Sequence, residues 1–347
     1  MTSPVLTAAD RLPAEGRPRV ALILGAGGPV GHAFHAGVLA ALCEWGWDPR
    51  DADLIIGTSI GSLTGALLRA GMAPADMVAR LVGDEVSPTC QRLVARAGGW
   101  PHLVADLTSD PAAWGGFSLT GSPHLLAALA RHPRRFRPGL LLAALTRPGR
   151  VPQTVIVDTV DRMFDSVWSE RALWVCAVDA DTGERVVFGR ESSLPVTLGT
   201  AVAASSSVPA LFGPLHAHGR RFLDGGLHSP VNSDLVLEAD LALDVVVMSV
   251  PMGIGAWPRR SGRDLPGRWL NHWVAGRGVK PLAHRGVPVL TFEPGPEELE
   301  VMHYDVFQLA HRPDIARRAH RSAARRLAEA GATPALAQLA GVQAFEP

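Results

Sequence analysis

The sequence predicts an α/β fold in which helices pack against a mainly parallel sheet. Three observations carry this. An apolar run over residues 19–24 leads into the turn Gly25-Ala-Gly-Gly-Pro-Val-Gly31, and apolar residues then recur at helical spacing over 32–43. A second unit repeats the order, with an apolar run over 53–56, the turn Gly57-Thr-Ser-Ile-Gly61 and a helical pattern over 62–69. Strand, tight turn and helix in succession, twice, require a parallel sheet with crossover helices. Further strand-length apolar runs lie at 173–178, 185–188, 241–250 and 287–292.

The chain has 347 residues, 47% of them apolar, enough for one large α/β domain with insertions. Residues 1–17 are polar and read as a loose tail, and residues 18–347 read as the domain. Residues 85–168, rich in proline and aromatics, read as a helical insertion covering a site; 251–286, rich in Gly, Pro, Arg and Trp, read as a loop insertion. The turn at 181–183 joins two strands, and small residues over 197–206 form a helix that Pro209 follows. A basic helix over 315–327 reads as a solvated face.

Lys+Arg and Asp+Glu both number 33, which argues against a nucleic-acid partner. Cys43, Cys90 and Cys176 are too few and too scattered for a disulfide framework or a metal site. No leader pattern opens the sequence and no apolar stretch approaches the ~20 residues that span a bilayer, so a cytoplasmic protein is expected, with peripheral membrane contact.

The chemistry concentrates in three places. Gly57-Thr58-Ser59-Ile60-Gly61 fits G-x-S-x-G, in which a serine on a sharp strand-to-helix turn is flanked by positions that must be small. Gly25, Ala26, Gly27 and Gly28 form a turn whose bare amides suit a developing oxyanion. The same turn fits a dinucleotide site, which needs an acid after the second strand; Asp51 and Asp53 precede that strand instead. Asp224, followed by Gly225 and Gly226, can take the serine's proton if burial lifts its pKa from ~3.9. Among the histidines, His35, His216, His218 and His228 lie near these motifs, and His228 is the strongest candidate for a Ser-His-Asp triad.

Together these residues resemble the patatin-like phospholipases. The likeness covers roughly residues 18–250 and rests on Gly25–Gly31 with His35-Ala-Gly-Val-Leu39, on Gly57–Gly61, on Ala204-Ser-Ser-Ser-Val-Pro209, and on Asp224-Gly-Gly226. It implies a three-layer α/β/α sandwich and a Ser59–Asp224 dyad with Gly25–Gly28 as oxyanion hole. It also implies lipid acyl esters as substrates, no metal and no cofactor, with 204–209 shaping the pocket. The sequence departs from the family at Val30, where many members carry a basic residue, and this could shift preference away from charged headgroups. Trp257, Trp269 and Trp273, interleaved with Arg259, Arg260, Arg263 and Arg268, suit a headgroup interface. A catalytically silent lipid- or partner-binding protein and a transacylase share these residues.

Overall fold

The structure is a computed structural model and describes residues 18–99, 115, 121–133, 136–190, 194–239, 242–256, 265–302, 306–329 and 333–343. The tail at 1–17, together with Trp100, Trp114, Phe117, Trp257, Arg259, Arg260 and Arg263, lies outside the described residues.

Strands β1 (Val20–Leu24), β2 (Leu54–Thr58), β3 (Ala172–Asp179), β4 (Arg185–Phe188), β5 (Leu215–Ala217), β6 (Arg220–Asp224), β7 (Val245–Ser249) and β8 (Val289–Phe292) form one sheet. They pair along the path β5-β6-β3-β2-β1-β7-β8, with β4 on β3. β3, β2, β1, β7 and β8 run parallel; β4 and β6 pair antiparallel with β3, and β5 pairs antiparallel with β6. The runs read from the sequence are the strands because they are almost wholly apolar: each residue of β1, β2 and β7 is buried, and the polar ones, Thr58 and Ser249, stand at the C-terminal ends. Period-two alternation sends Leu22 and Leu24 into one core and Ala21 and Ile23 into the other.

Helices cover both faces, giving three layers. On the first face lie α1 (Gly28–Trp45), α2 (Ile60–Arg69) and the helices Leu198–Ser205 and Arg312–Glu329. α1 and the helix Arg312–Glu329 cross closely at Gly37, where a Cβ would strike the backbone of Ala316 and His320. On the second face lie Leu265–His284 and the short turn Ser233–Leu237.

The edge of β3 fixes the geometry that follows. β4 occupies one edge, pairing with Val175–Val178. β2 pairs with Ala172–Cys176 and β6 with Ala177–Asp179, so both must use the opposite edge. β2 runs with β3 and β6 against it, and their C-terminal ends therefore meet head-on, Thr58 opposite Cys176 and Asp224 opposite Ala177.

Within 85–168 the described residues include the helices Pro88–Arg96, Pro123–Arg131, Pro138–Ala144 and Thr154–Phe164, with non-helical stretches such as 145–153 between them. The loop read at 251–286 is a correction: 265–284 is a twenty-residue helix. Its glycines and two prolines hide it from propensity, and packing of Ala275, Val279 and Leu282 into the second core holds it. The basic helix does present a solvated face. Arg318 bonds Asp314 and Glu300, and Arg325 bonds Glu297.

Candidate active site

Ser59 follows the last residue of β2 and is the N-cap of α2, with φ 54° and ψ −124°. A serine rarely adopts positive φ, and here the surroundings enforce it. Its N–H donates to Ser205 Oγ at 2.8 Å, and that hydroxyl donates to Cys176 O at 2.6 Å. Its carbonyl accepts from Ser62 Oγ at 2.6 Å. Both flanking glycines are obligatory. A Cβ at Gly57 would lie 2.7 Å from Ser62 N, and one at Gly61 would run into the carbonyls of Leu24 and Gly25. Gly61 thus lets the serine turn sit directly on the first glycine turn.

Asp224 ends β6, and its N–H donates to Ser207 O at 3.1 Å. The carboxylate is buried. Oδ1 accepts the Gly226 N–H at 2.6 Å, and Oδ2 has no hydrogen-bond partner. Burial raises its pKa from 3.8 to about 6, while the adjacent Ser59 hydroxyl and the Gly226 N–H pull it down. No full hydrogen bond joins the Ser59 hydroxyl to either carboxylate oxygen, so the serine contact falls short of that geometry. Gly225 lies against Cys176 O of β3, and a Cβ on Gly226 would lie 3.4 Å from Ala26, so this loop touches the glycine turn as well.

The four amides of that turn are not equivalent. Gly25 N–H donates to Ser249 O at 3.0 Å and Ala26 N–H to Pro230 O at 2.7 Å, so neither can meet a substrate. Among the described residues the N–H groups of Gly27 and Gly28 have no partner, and Gly28 has the positive φ, 57°, that turns the chain into α1. His35 fixes the base of the turn, bonding Gly25 O at 2.9 Å and Ser249 Oγ at 2.7 Å; burial lowers its pKa to about 4. Val30 is buried under Val306, whose carbonyl accepts its N–H at 3.2 Å.

Among the described residues no imidazole meets the Asp224 carboxylate, and its one hydrogen bond is to Gly226. The triad candidates have other places. His216 is exposed on β5, and His218 bonds Pro195 O at 3.0 Å. His228 lines the cleft, its pKa lowered to about 4 by burial and by Arg185 and Arg137. Asp53 accepts the Val20 N–H at 2.7 Å, at the far end of β1 from the glycine turn, where it cannot serve a dinucleotide.

Ser59, Asp224, Ala26, Gly27 and Gly28 open into a cleft of about 1120 Å³. Its walls include Leu63, Leu142, Ile156, Leu211, Phe212, Leu270, Trp273 and Phe307. Leu142, Leu270 and Trp273 are also exposed at its rim, beside Trp269. Arg268, read as a headgroup contact, is instead buried and bonds the carbonyls of Pro251, Gly253 and Met302. Among the described residues no cluster of His, Cys, Asp or Glu could hold a metal, and no helix is long and apolar enough to cross a membrane.

Two supporting roles are not readable from the motifs. The 204–209 block does more than shape a pocket, since Ser205 holds the Ser59 amide and Ser207 the Asp224 amide. Asn232, at φ 50°, donates to Thr58 Oγ1 at 3.0 Å and so ties the segment after Asp224 to the serine turn.

The family model for patatin-like phospholipases matches residues 22–237, more than half of the chain. The chain belongs to this family. As a patatin-like phospholipase it is 26% identical over 273 residues to uncharacterized NTE family proteins of Mycobacterium tuberculosis (strain ATCC 25618 / H37Rv) and Mycobacterium bovis (strain ATCC BAA-935 / AF2122/97). The alignment covers 77% of this chain and 59% of each relative, so the chain spans less than two thirds of their length. Among solved structures it is similar to VipD from Legionella pneumophila, with 13% identity, a TM-score of 0.39, and coverage of 90% of this chain and 67% of that one. It is also similar to ExoU from the type III secretion system of Pseudomonas aeruginosa, solved with SpcU. The identity there is 18% and the TM-score 0.38, covering 91% of this chain and 53% of that one.

Proposed function

We propose that this patatin-like phospholipase is a serine acyl hydrolase acting on lipid esters through Ser59 and Asp224. The observation that carries the reading is a serine in forced positive φ beside a buried carboxylate of raised pKa. At neutral pH Asp224 is ionised yet basic enough to take a proton, which a carboxylate at 3.8 does poorly.

Ser59 Oγ attacks the ester carbonyl while its proton passes to Asp224. The oxyanion takes hydrogen bonds from the Gly27 and Gly28 amides, each such donor being worth roughly 3–4 kcal/mol. Collapse expels the alcohol, which leaves with the proton from Asp224. Water then attacks the acyl-serine, giving its proton to Asp224, and the acid departs as the Ser59 hydroxyl is restored. Each intermediate keeps Asp224 in its pocket and asks nothing of a metal. The apolar walls of the cleft suit an acyl chain, and the exposed Leu142, Trp269, Leu270 and Trp273 suit contact with a lipid surface at the rim.

The test is labelling by a fluorophosphonate probe together with hydrolysis of a p-nitrophenyl ester. Wild type labels and turns over; Ser59→Ala does neither, and Asp224→Asn loses both to a large degree. A folded wild type that fails to label and to hydrolyse would mark a silent, lipid-binding member and end this reading.

A further inference from the structure

The two ends of the cleft belong to opposite sides of the sheet and differ in character. Leu63, Ile156, Val208, Leu211 and Phe212 line it on the α1–α2 side, where they are part of, or pack on, the first core. His228, Ser233, Asp234, Arg277 and Gly278 line it on the side of the helix Leu265–His284. That second end is cationic. The nearby acids are already committed, because Arg185 bonds both oxygens of Asp234 at 2.8 and 2.9 Å and Glu238 is shared between Arg185 and Arg190. Arg137 also lines the cleft and, with Arg185, acts on His228 to disfavour its charged form. Arg277 stands apart. Its guanidinium lies 4.8 Å from the centre of the Trp273 ring, and among the described residues it has no carboxylate and no hydrogen-bond acceptor. A ring face orients a guanidinium without using its N–H groups, which leaves the planar fork available to an anion in the cleft.

We propose that this end of the cleft is a subsite for a negatively charged leaving group, with Arg277 as its specificity-determining residue. An acyl ester then lies across the sheet edge in one direction. The hydrocarbon chain points toward Ile156 and Phe212, the carbonyl sits at Ser59, and the alcohol carries its anionic group toward Arg277. The inference rests on the hydrolase reading for the placement of the carbonyl. The cation missing at Val30 is thus supplied by a different element, on the leaving-group side and not in the oxyanion turn.

Short-chain esters that stay monomeric test it: 1-octanoyl lysophosphatidylglycerol as anion, 1-octanoyl lysophosphatidylcholine as zwitterion and 1-octanoylglycerol as neutral ester. The ratio of kcat/KM for the anionic over the neutral ester falls about tenfold or more in Arg277→Gln, the loss of one charge-assisted contact, and Arg277→Lys restores part of it. The zwitterionic ester falls between the two. An unchanged ratio in Arg277→Gln overturns the proposal. Binding of the same three lipids to Ser59→Ala protein, followed by tryptophan fluorescence, separates this from the chemistry. If wild type hydrolyses nothing but Ser59→Ala prefers the anion and loses that preference with Arg277→Gln, the hydrolase reading falls and the subsite stands. If Ser59→Ala binds all three alike, the subsite falls.

Discussion

Thr58 and Asp224 sit opposite consecutive residues of one strand, Cys176 and Ala177, although 166 positions separate them in the chain. One hydrogen-bonded edge therefore sets the distance between the serine turn and the carboxylate. Ser205 and Ser207, two residues apart on one helix end, hold the amides of Ser59 and Asp224 from the same side. Ser205 does so with its hydroxyl and Ser207 with its backbone carbonyl, and among the described residues no imidazole stands between the two.

Rate should follow the ionisation of Asp224. Its pKa is raised to about 6, so the base is protonated and inactive below that value. A plot of kcat/KM against pH is expected to rise through an acid limb near 6 and to level above it. A limb near 4 would mean that burial does not act on the carboxylate in this way.

The same burial carries a stability cost. A carboxyl raised in the folded state stabilises the fold fully below its unfolded pKa of 3.8, and that stability is lost as pH rises through about 6. Asp224→Asn removes the charge, so it is expected to be more stable than wild type at pH 8, by up to about 3 kcal/mol at 1.36 kcal/mol per pK unit. The gain should vanish by pH 4. Urea titrations of both proteins at the two pH values measure it.

Backbone strain at Ser59 separates two variants that both lack its hydroxyl. Ser59→Gly removes the Cβ from a residue at φ 54° and is expected to raise stability by about 1 kcal/mol relative to Ser59→Ala, which keeps it. Equal melting temperatures for the two would show that the turn stores no strain.

Gly61→Ala tests the contact between the two turns. The new Cβ would meet the carbonyls of Leu24 and Gly25, and neither backbone can retreat from the sheet end. Turnover should drop at least about a hundredfold, as for loss of an oxyanion donor, with a fall in Tm. Ser205→Ala works without a clash: it leaves the buried Ser59 N–H unbonded, at a cost of about 1–3 kcal/mol.

The rim is tested on vesicles. Leu142 and Leu270 are exposed apolar residues that line the cleft from two different helices. Leu142→Glu with Leu270→Glu is expected to abolish flotation with anionic vesicles while the far-UV spectrum stays that of wild type. Unaltered flotation would place any lipid contact elsewhere on the molecule.

Much of this was legible in the sequence for a simple reason. Strands buried on both faces must be apolar throughout, and a turn squeezed between them must be glycine, so β1, β2 and their turns announce themselves. Ser59, Asp224, Gly27 and Gly28 were readable as residue types. The helix Leu265–His284 was not, because its stability comes from packing and its composition argues for a loop. Ser205, Ser207 and Asn232 were unreadable as supports for another reason. Their roles are hydrogen bonds across up to 174 residues of chain, which only the completed sheet brings within reach.

The head-on meeting of β2 and β6 also dictates when the centre comes into being. A chain growing on a ribosome has its serine early, but the carboxylate arrives with β6, and β1 gains its second neighbour only with β7. Until those late strands dock, the hydroxyl has no base beside it. The pairing of hydroxyl and carboxylate is thus a late product of folding, absent until strands far down the chain are in place.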